Sequence, residues 1–196
     1  MPVSYHQAAY CGVPVWTTDL CSSVQYGLAR GAHVIGIDSG AQKRELVTSF
    51  GAHFVDFRQT PNVVEEVQRI TSGGAHAVVV SAGSSAAFAQ AASMLRTNGT
   101  MCCIGIPPGG GQIQTPVSEI VIKGLKIKGN LVGNLKECLD AVEQVRTGIV
   151  KPKVYVRPFR DLPKVYEEME AGDIAGRVVL MVGEDPGPNV GLNSRL

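Results

Sequence analysis

The chain carries almost no surplus charge. Eighteen lysines and arginines stand against 17 aspartates and glutamates, a formal net charge of +1. Such a balance leaves no electrostatic footprint for nucleic acid or for an anionic membrane surface, and neither is expected as a partner. Long apolar runs are missing as well; none approaches the roughly 18 residues that a membrane span needs. The opening MPVSYHQAAYCG has no basic stretch leading into a long apolar one, so no secretory leader is expected. The expected compartment is cytoplasmic, and the five cysteines, Cys11, Cys21, Cys102, Cys103 and Cys138, are expected to be thiols. No C-x-x-C pair occurs, the four histidines lie apart, and there is no G-x-S-x-G elbow. Those absences argue against a cysteine-rich metal module and against a serine hydrolase.

What is present is an ordinary globular composition, 44% hydrophobic over 196 residues, enough for one domain with a sizeable core. From His33 onward, strands and helices alternate. HVIGID (33–38) is a β-branched run ending on an acid, and AQKRELVTSFG (41–51) has Leu46, Val47 and Phe50 at helical spacing before a glycine stop. AHFVDF (52–57) reads as a strand, and PNVVEEVQRITSGG (61–74) as a helix opened by proline. AHAVVVSAG (75–83) is the most apolar run, as for a strand covered on both faces. SSAAFAQAASMLRTNG (84–99) reads as a helix and TMCCIGI (100–106) as a strand. After the proline- and glycine-rich loop 107–116 come a strand at LKIKGN (125–130), an amphipathic helix over 135–148, a strand over 153–159, a helix over 161–172 and a last strand over 176–182.

This alternation predicts an α/β fold, a Rossmann-like doubly wound and mostly parallel sheet with right-handed crossovers. The stretch VPVWTTDLCSSVQYGLARGAHVIGID (13–38) reads as its first half: an apolar lead-in, a helix and a strand ending on Asp38. The turn after the first strand is expected to be altered. Where glycines would let the backbone approach a pyrophosphate, near Pro14, Thr17, Thr18 and Leu20, no glycine stands. Asp19 or Ser22 would start the following helix, and Asp19 would repel a phosphate. Val13–Trp16 replacing the central strand, or a neighbouring chain supplying the missing packing, are alternatives the residues leave open.

Several segments resemble the coenzyme-binding half of zinc-type, medium-chain alcohol dehydrogenases of the fungal ethanol-dehydrogenase type. They are VQYGLARGAHVIGIDSGAQKRELVTSFGAHFVDF, TSGGAHAVVVS, LRTNGTMCCIGIP, IKGLKIKGNLVGN and EEMEAGDIAGRVVLMV, collinear over roughly residues 24–182. AAYCGVPVW (8–16) resembles the segment joining the two domains of such enzymes. The resemblance implies three parts: residues 1–23 as a remnant of the domain joint with an altered first strand and turn, 24–182 as the coenzyme-binding domain, and 183–196 as a flexible tail. The family's N-terminal catalytic domain, with most of its zinc ligands, is not in this sequence. Cys11 resembles the one ligand carried by the joining segment, and a single thiol does not make a catalytic site, which needs three protein ligands. No zinc is expected, and the cysteines read as small apolar core residues.

The resemblance also implies a coenzyme site. Asp38 would accept the adenosine ribose hydroxyls and favour NAD over NADP, and Lys43 would reach the same ribose. Ser81 stands at the carboxyl end of a central strand, where ligands bind in open sheets; by the resemblance, the segments Ile104-Gly105-Ile106 and Leu131-Val132-Gly133 would flank the nicotinamide and Arg177 would reach the pyrophosphate. With the glycine turn gone, weak NAD binding, or none, is the physical expectation. The glutamates at 65, 66, 167, 168 and 170 read as solvated helix faces, and His76 as structural.

The function expected is that of a truncated alcohol dehydrogenase-family protein acting on a small-molecule metabolite, an NAD(H)-linked oxidoreductase without zinc. Two alternatives stand beside it. One is a repurposed non-redox enzyme (lyase, isomerase or cyclase) using the emptied crevice. The other is a non-catalytic dimerising module, because LKIKGN (125–130) resembles the strand through which family members pair, which makes a homodimer through that strand the expected partner.

Overall fold

The computed structural model describes the backbone of residues 8–11 and 18–183, and side chains from Cys21 onward. Its main body is a six-stranded parallel sheet. The strands are β1 (Ala8–Cys11), β2 (Val34–Asp38), β3 (His53–Asp56), β4 (Ala75–Val80), β5 (Leu95–Cys103) and β6 (Lys126–Gly129), in the spatial order β3-β2-β1-β4-β5-β6. That is the doubly wound order, with its topological switch between β1 and β4. Helices α1 (Thr18–Ala29), α2 (Ala41–Ser49), α3 (Val63–Thr71), α4 (Ser85–Ala91) and α5 (Val117–Lys123) make the crossovers. Beyond the sheet come α6 (Leu135–Arg146), β7 (Val154–Pro158), α7 (Leu162–Ala171) and β8 (Arg177–Met181). β7 and β8 pair in parallel with each other as a separate two-stranded sheet.

Alternate residues of a strand face opposite sides of its sheet, and β2 shows both sides covered. Ile35 and Ile37 enter a core with Val55, Val67, Val78, Val80 and Met101, while Val34 joins Val24, Val47 and Ala52 in a second cluster. All five residues of β2 are buried, as expected of a strand sandwiched between helices. Helix ends follow local chemistry. Asn62 caps α3 by accepting the Glu65 N–H at 3.2 Å, and Asn134 and Glu137 form a reciprocal capping box at the start of α6.

Three elements differ from the sequence expectation. The central strand is Ala8–Cys11, in register with Ala8↔Val34 on one side and Ala9↔Val78 on the other, ahead of the Val13–Trp16 run. The connection to α1 therefore spans residues 12–17, and Thr18, Asp19 and Leu20 are helical where a turn was expected. Residues 12–17 themselves, with Pro14 and Thr17, lie outside the described residues, as does the expected tail beyond Gly183. The helix expected to 99 is cut short: α4 ends at Ala91, a 3-10 turn covers Ala92–Met94, and β5 begins at Leu95. The Asn98-Gly99 turn survives inside that strand as an irregularity, with Asn98 at φ 60° and a register shift opposite Ala75–Ala77. Finally, α5 was read as no element at all. It starts after Pro116, ends on left-handed Gly124, and carries an internal Lys123–Glu119 pair at 2.7 Å.

Candidate functional site

In an open parallel sheet, ligands gather at the carboxyl ends of the strands beside the topological switch. The register brings four positions to one level of that rim. Ile37 and Val80 each pair with Cys11, Val80 pairs with Cys103, and Cys103 with Gly129. Asp38, Ser81, Ile104 and Asn130 are thus each one residue past a common layer.

Asp38 is the most built of them. It is 2% exposed, and its Oδ1 accepts the Ser39 N–H at 2.7 Å and the Lys43 Nζ–H at 3.0 Å. Lys43 comes from the first turn of α2 and is itself 4% exposed. Its ammonium is buried against the carboxylate. Among the described residues nothing donates to Asp38 Oδ2, which leaves one oxygen of a buried carboxylate to accept a ligand hydroxyl. Burial pushes the Asp38 carboxyl above its ordinary value; Lys43 and the Ser39 N–H pull it back, and the neighbouring Asp56 adds to the rise. Taking the charge out of water outweighs the ion pair here.

Next along the rim, Ser81 is half-buried just past β4. The Ile104 and Gly105 N–H groups both donate to the Val80 carbonyl at 2.9 Å, folding the chain after β5 over the end of β4. A Cβ on Gly105 would stand 2.1 Å from the Ala82 carbonyl oxygen, so the approach requires glycine. Ile104 is 38% exposed and Val132 is 76% exposed in the loop after β6. Arg177 is exposed at the start of β8, where its N–H donates to the Lys153 carbonyl at 2.8 Å, away from the Asp38–Lys43 pair, with which its side chain forms no hydrogen bond or ion pair. A cavity of about 380 Å³ lies where α2 meets the small sheet, lined by Gln42, Tyr155, Arg157, Glu168 and Asp173. In it Glu168 is half-buried and accepts from Arg157 at 2.6 Å; Glu66 on α3 is likewise half-buried and accepts from Arg69 at 2.8 Å, so these two depart from the solvated faces expected.

One residue of the rim escaped sequence reasoning. Asp56 ends β3 opposite Asp38, is 3% exposed, and accepts the Gly40 N–H at 3.2 Å and the Arg58 N–H at 3.0 Å. A buried acid at a strand end was the available signal. The cysteines also divide further than expected: Cys21 is buried, with burial pushing its thiol up to about 11, Cys102 and Cys103 are half-buried, and Cys138 is exposed on α6. His76 lies 2.9 Å from Arg96 at the far end of the sheet. Among the described residues no three His, Cys, Asp or Glu side chains stand close enough to hold a metal, so the donor set of a catalytic zinc is not met by them. The side chain of Cys11 lies outside what is described.

A six-stranded parallel sheet in this order is the Rossmann-like, doubly wound class of fold. The comparisons narrow that class. The profile of zinc-binding dehydrogenases matches residues 21–147, and the chain belongs to that family. It is 41% identical to an alcohol dehydrogenase of Schizosaccharomyces pombe over 159 residues, 81% of this chain and 45% of that protein. Against alcohol dehydrogenase 1 of Emericella nidulans the identity is 39% over 163 residues, 82% and 46% of the two chains. The chain thus spans under half the length of these relatives. The crystal structure of alcohol dehydrogenase from the archaeon Aeropyrum pernix superposes with a TM-score of 0.79 at 28% identity, over 91% of this chain and 51% of that one. No helix among the described residues is long and apolar enough to cross a membrane.

Proposed function

We propose that this chain is the coenzyme-binding unit of an NAD(H)-linked oxidoreductase acting on a small-molecule metabolite. The observation that carries the reading is the buried Asp38–Lys43 pair at the carboxyl end of β2, with Oδ2 of the carboxylate left to accept a ribose hydroxyl. A carboxylate there repels a 2′-phosphate, which favours NAD(H) over NADP(H). Ser81, Ile104 and Val132 follow along the same rim and would flank the nicotinamide, which when bound supplies or accepts the hydride. Arg177 would reach the pyrophosphate from the small sheet. Asp19 is the second residue of α1 by its backbone, and no glycine stands at Pro14, Thr17, Thr18 or Leu20 to let the backbone approach a pyrophosphate. The affinity is therefore weaker than an all-glycine turn would give. Nothing in the reading requires a resident zinc.

A second copy of the chain completes the reading. β6 is a sheet edge with all four residues exposed, and such an edge is a template for strand pairing. Its flanks carry Val117, Val121 and Ile122 on α5, each more than 70% exposed. Pairing through residues 125–130 would cover them. The expected compartment for such a protein is cytoplasmic. Calorimetric titration with NADH tests the coenzyme reading: saturable binding supports it, and no binding heat at millimolar NADH ends it.

A further inference from the structure

The turn that carries Asp38 is held from two sides, and only one of them belongs to the ribose-reading pair. On its own side, Asp38 accepts the Ser39 N–H and the Lys43 ammonium. From the β3 side, the Asp56 carboxylate reaches back across 16 residues of chain to accept the Gly40 N–H through Oδ2. Its Oδ1 takes the Arg58 N–H, so both oxygens are committed to backbone. The strands are tied in the reverse direction as well, since the Phe57 N–H donates to the Asp38 carbonyl at 3.1 Å.

Gly40 is the hinge of this arrangement. It sits at φ 102°, ψ 145°, immediately before α2, and its carbonyl accepts the Arg44 N–H that opens the helix. That region of backbone space suits glycine, which gains nothing from its own side chain and is fixed only by what its N–H and carbonyl meet. The direction in which α2 leaves the rim, and with it the reach of Lys43 to Asp38, depends on that N–H having an acceptor. A second buried carboxylate beside Asp38 is costly, because Lys43 is committed to Asp38 and Arg44 stands 3.9 Å from Asp56 with nearly half its side chain exposed. Asparagine could cap the Arg58 N–H as well but offers only one acceptor oxygen, whereas the carboxylate serves both amides.

We propose that Asp56 is the positioning residue of the coenzyme rim: by accepting the Gly40 N–H it fixes the Ser39–Gly40 turn that brings Lys43 onto Asp38. This rests on the reading of Asp38 as the ribose acceptor, but its geometry can be tested without coenzyme. In the wild-type chain, the Gly40 amide should be protected from hydrogen exchange, as expected of an N–H bonded to a buried carboxylate. In Asp56→Asn, Gly40 amide exchange should quicken by about tenfold or more, the scale of one lost charge-assisted bond, while the Met101 amide in β5 keeps its protection. The same variant should bind NADH roughly tenfold more weakly. A wild-type Gly40 amide that exchanges as fast as in a free peptide overturns the proposal even if the variant does not fold. So does unchanged Gly40 exchange in a folded Asp56→Asn protein. If the wild type takes no NADH while Gly40 behaves as described, the coenzyme reading falls and the positioning of the turn by Asp56 stands.

Discussion

The two ends of the six-stranded sheet are built by the same strand–helix–strand rule and finished differently. At the β3-β2-β1 end every residue of β2 is buried, both oxygens of Asp56 accept backbone amides, and Asp38 is held through Oδ1 by Lys43 and the Ser39 N–H, with Oδ2 left open among the described residues. At the β6 end, no residue of β6, α5 or α6 is fully buried. Leu135, Leu139 and Val142, at helical spacing along one side of α6, are each more than half exposed. Burial of a large apolar side chain is worth about 1.5–3 kcal/mol, so the β6 end forgoes stabilisation that the β2 end collects. The first region is complete within the chain and poised for a small ligand. The second exposes apolar side chains that the proposed pairing through β6 would cover.

Breaking the join between the two ends should have the largest effect. Gly105→Ala places a Cβ against the Ala82 carbonyl where the chain after β5 crosses β4, and the unfolding free energy in urea should drop by about 2 kcal/mol or more. An unchanged midpoint would mean that the two strand ends are not locked as described.

The association of the open end can be broken separately. The Asn130 N–H points to β5, donating to the Cys103 carbonyl at 2.9 Å. By alternation along the strand, the N–H of Ile127 points outward from the sheet edge. Ile127→Pro should therefore spare the ladder to β5 and convert a dimer to a monomer by light scattering. A wild-type chain that is monomeric at all concentrations would contradict pairing at β6.

The closed end can be sharpened by pH. An ionised Asp38 accepts a hydroxyl, and its carboxyl is held above the ordinary aspartate value by burial. NAD+ affinity should be full above that raised value and fall as the pH drops through it, beginning at a higher pH than for an exposed aspartate. The sign for stability is opposite. The folded protein holds this proton more tightly than the unfolded chain, so the Asp38 contribution is greatest in acid and declines as the pH rises through the raised value. Affinity that is flat through the acid range would remove Asp38 from the site. The smallest effect is chemical: exposed Cys138 should alkylate readily at neutral pH, whereas Cys21, buried and held near 11, should remain unmodified in the native state.

Much of this was legible in the residues. The strand–helix alternation from β2 to β4 carries strong periodicity, and the cores of those elements fall where periodicity put them. Asp38 and Lys43 were legible because a strand-ending acid and a lysine five residues on fit the resemblance. β1 was not, since AAYC is short and of small residues while VPVW next to it is richer in β-branched ones. Its place is decided by register with β2 and β4, a non-local fact. The start of β5 hid behind Ala91–Leu95, which reads as helix until Ala75 pairs with Leu95. α5 is only seven residues long, too short for the spacing of Val117, Ile120 and Val121 to stand out as a helical period. Asp56 escaped because its partner, Gly40, lies on another loop. Cys138 is exposed on α6, which meets the other described residues through half-buried Ala141, Gln144 and Val145 and through the Tyr26 hydroxyl donating to the Ala141 carbonyl at 3.1 Å.

The central claim is that the Asp38 carboxylate reads a coenzyme ribose, and the direct measurement is NADH binding to the wild-type chain beside Asp38→Ala. Saturable binding that weakens at least ~10-fold in the variant is the predicted result, the loss of a hydrogen bond to a charged group. Equal binding by the two proteins, or none by the wild type at millimolar NADH, would contradict it.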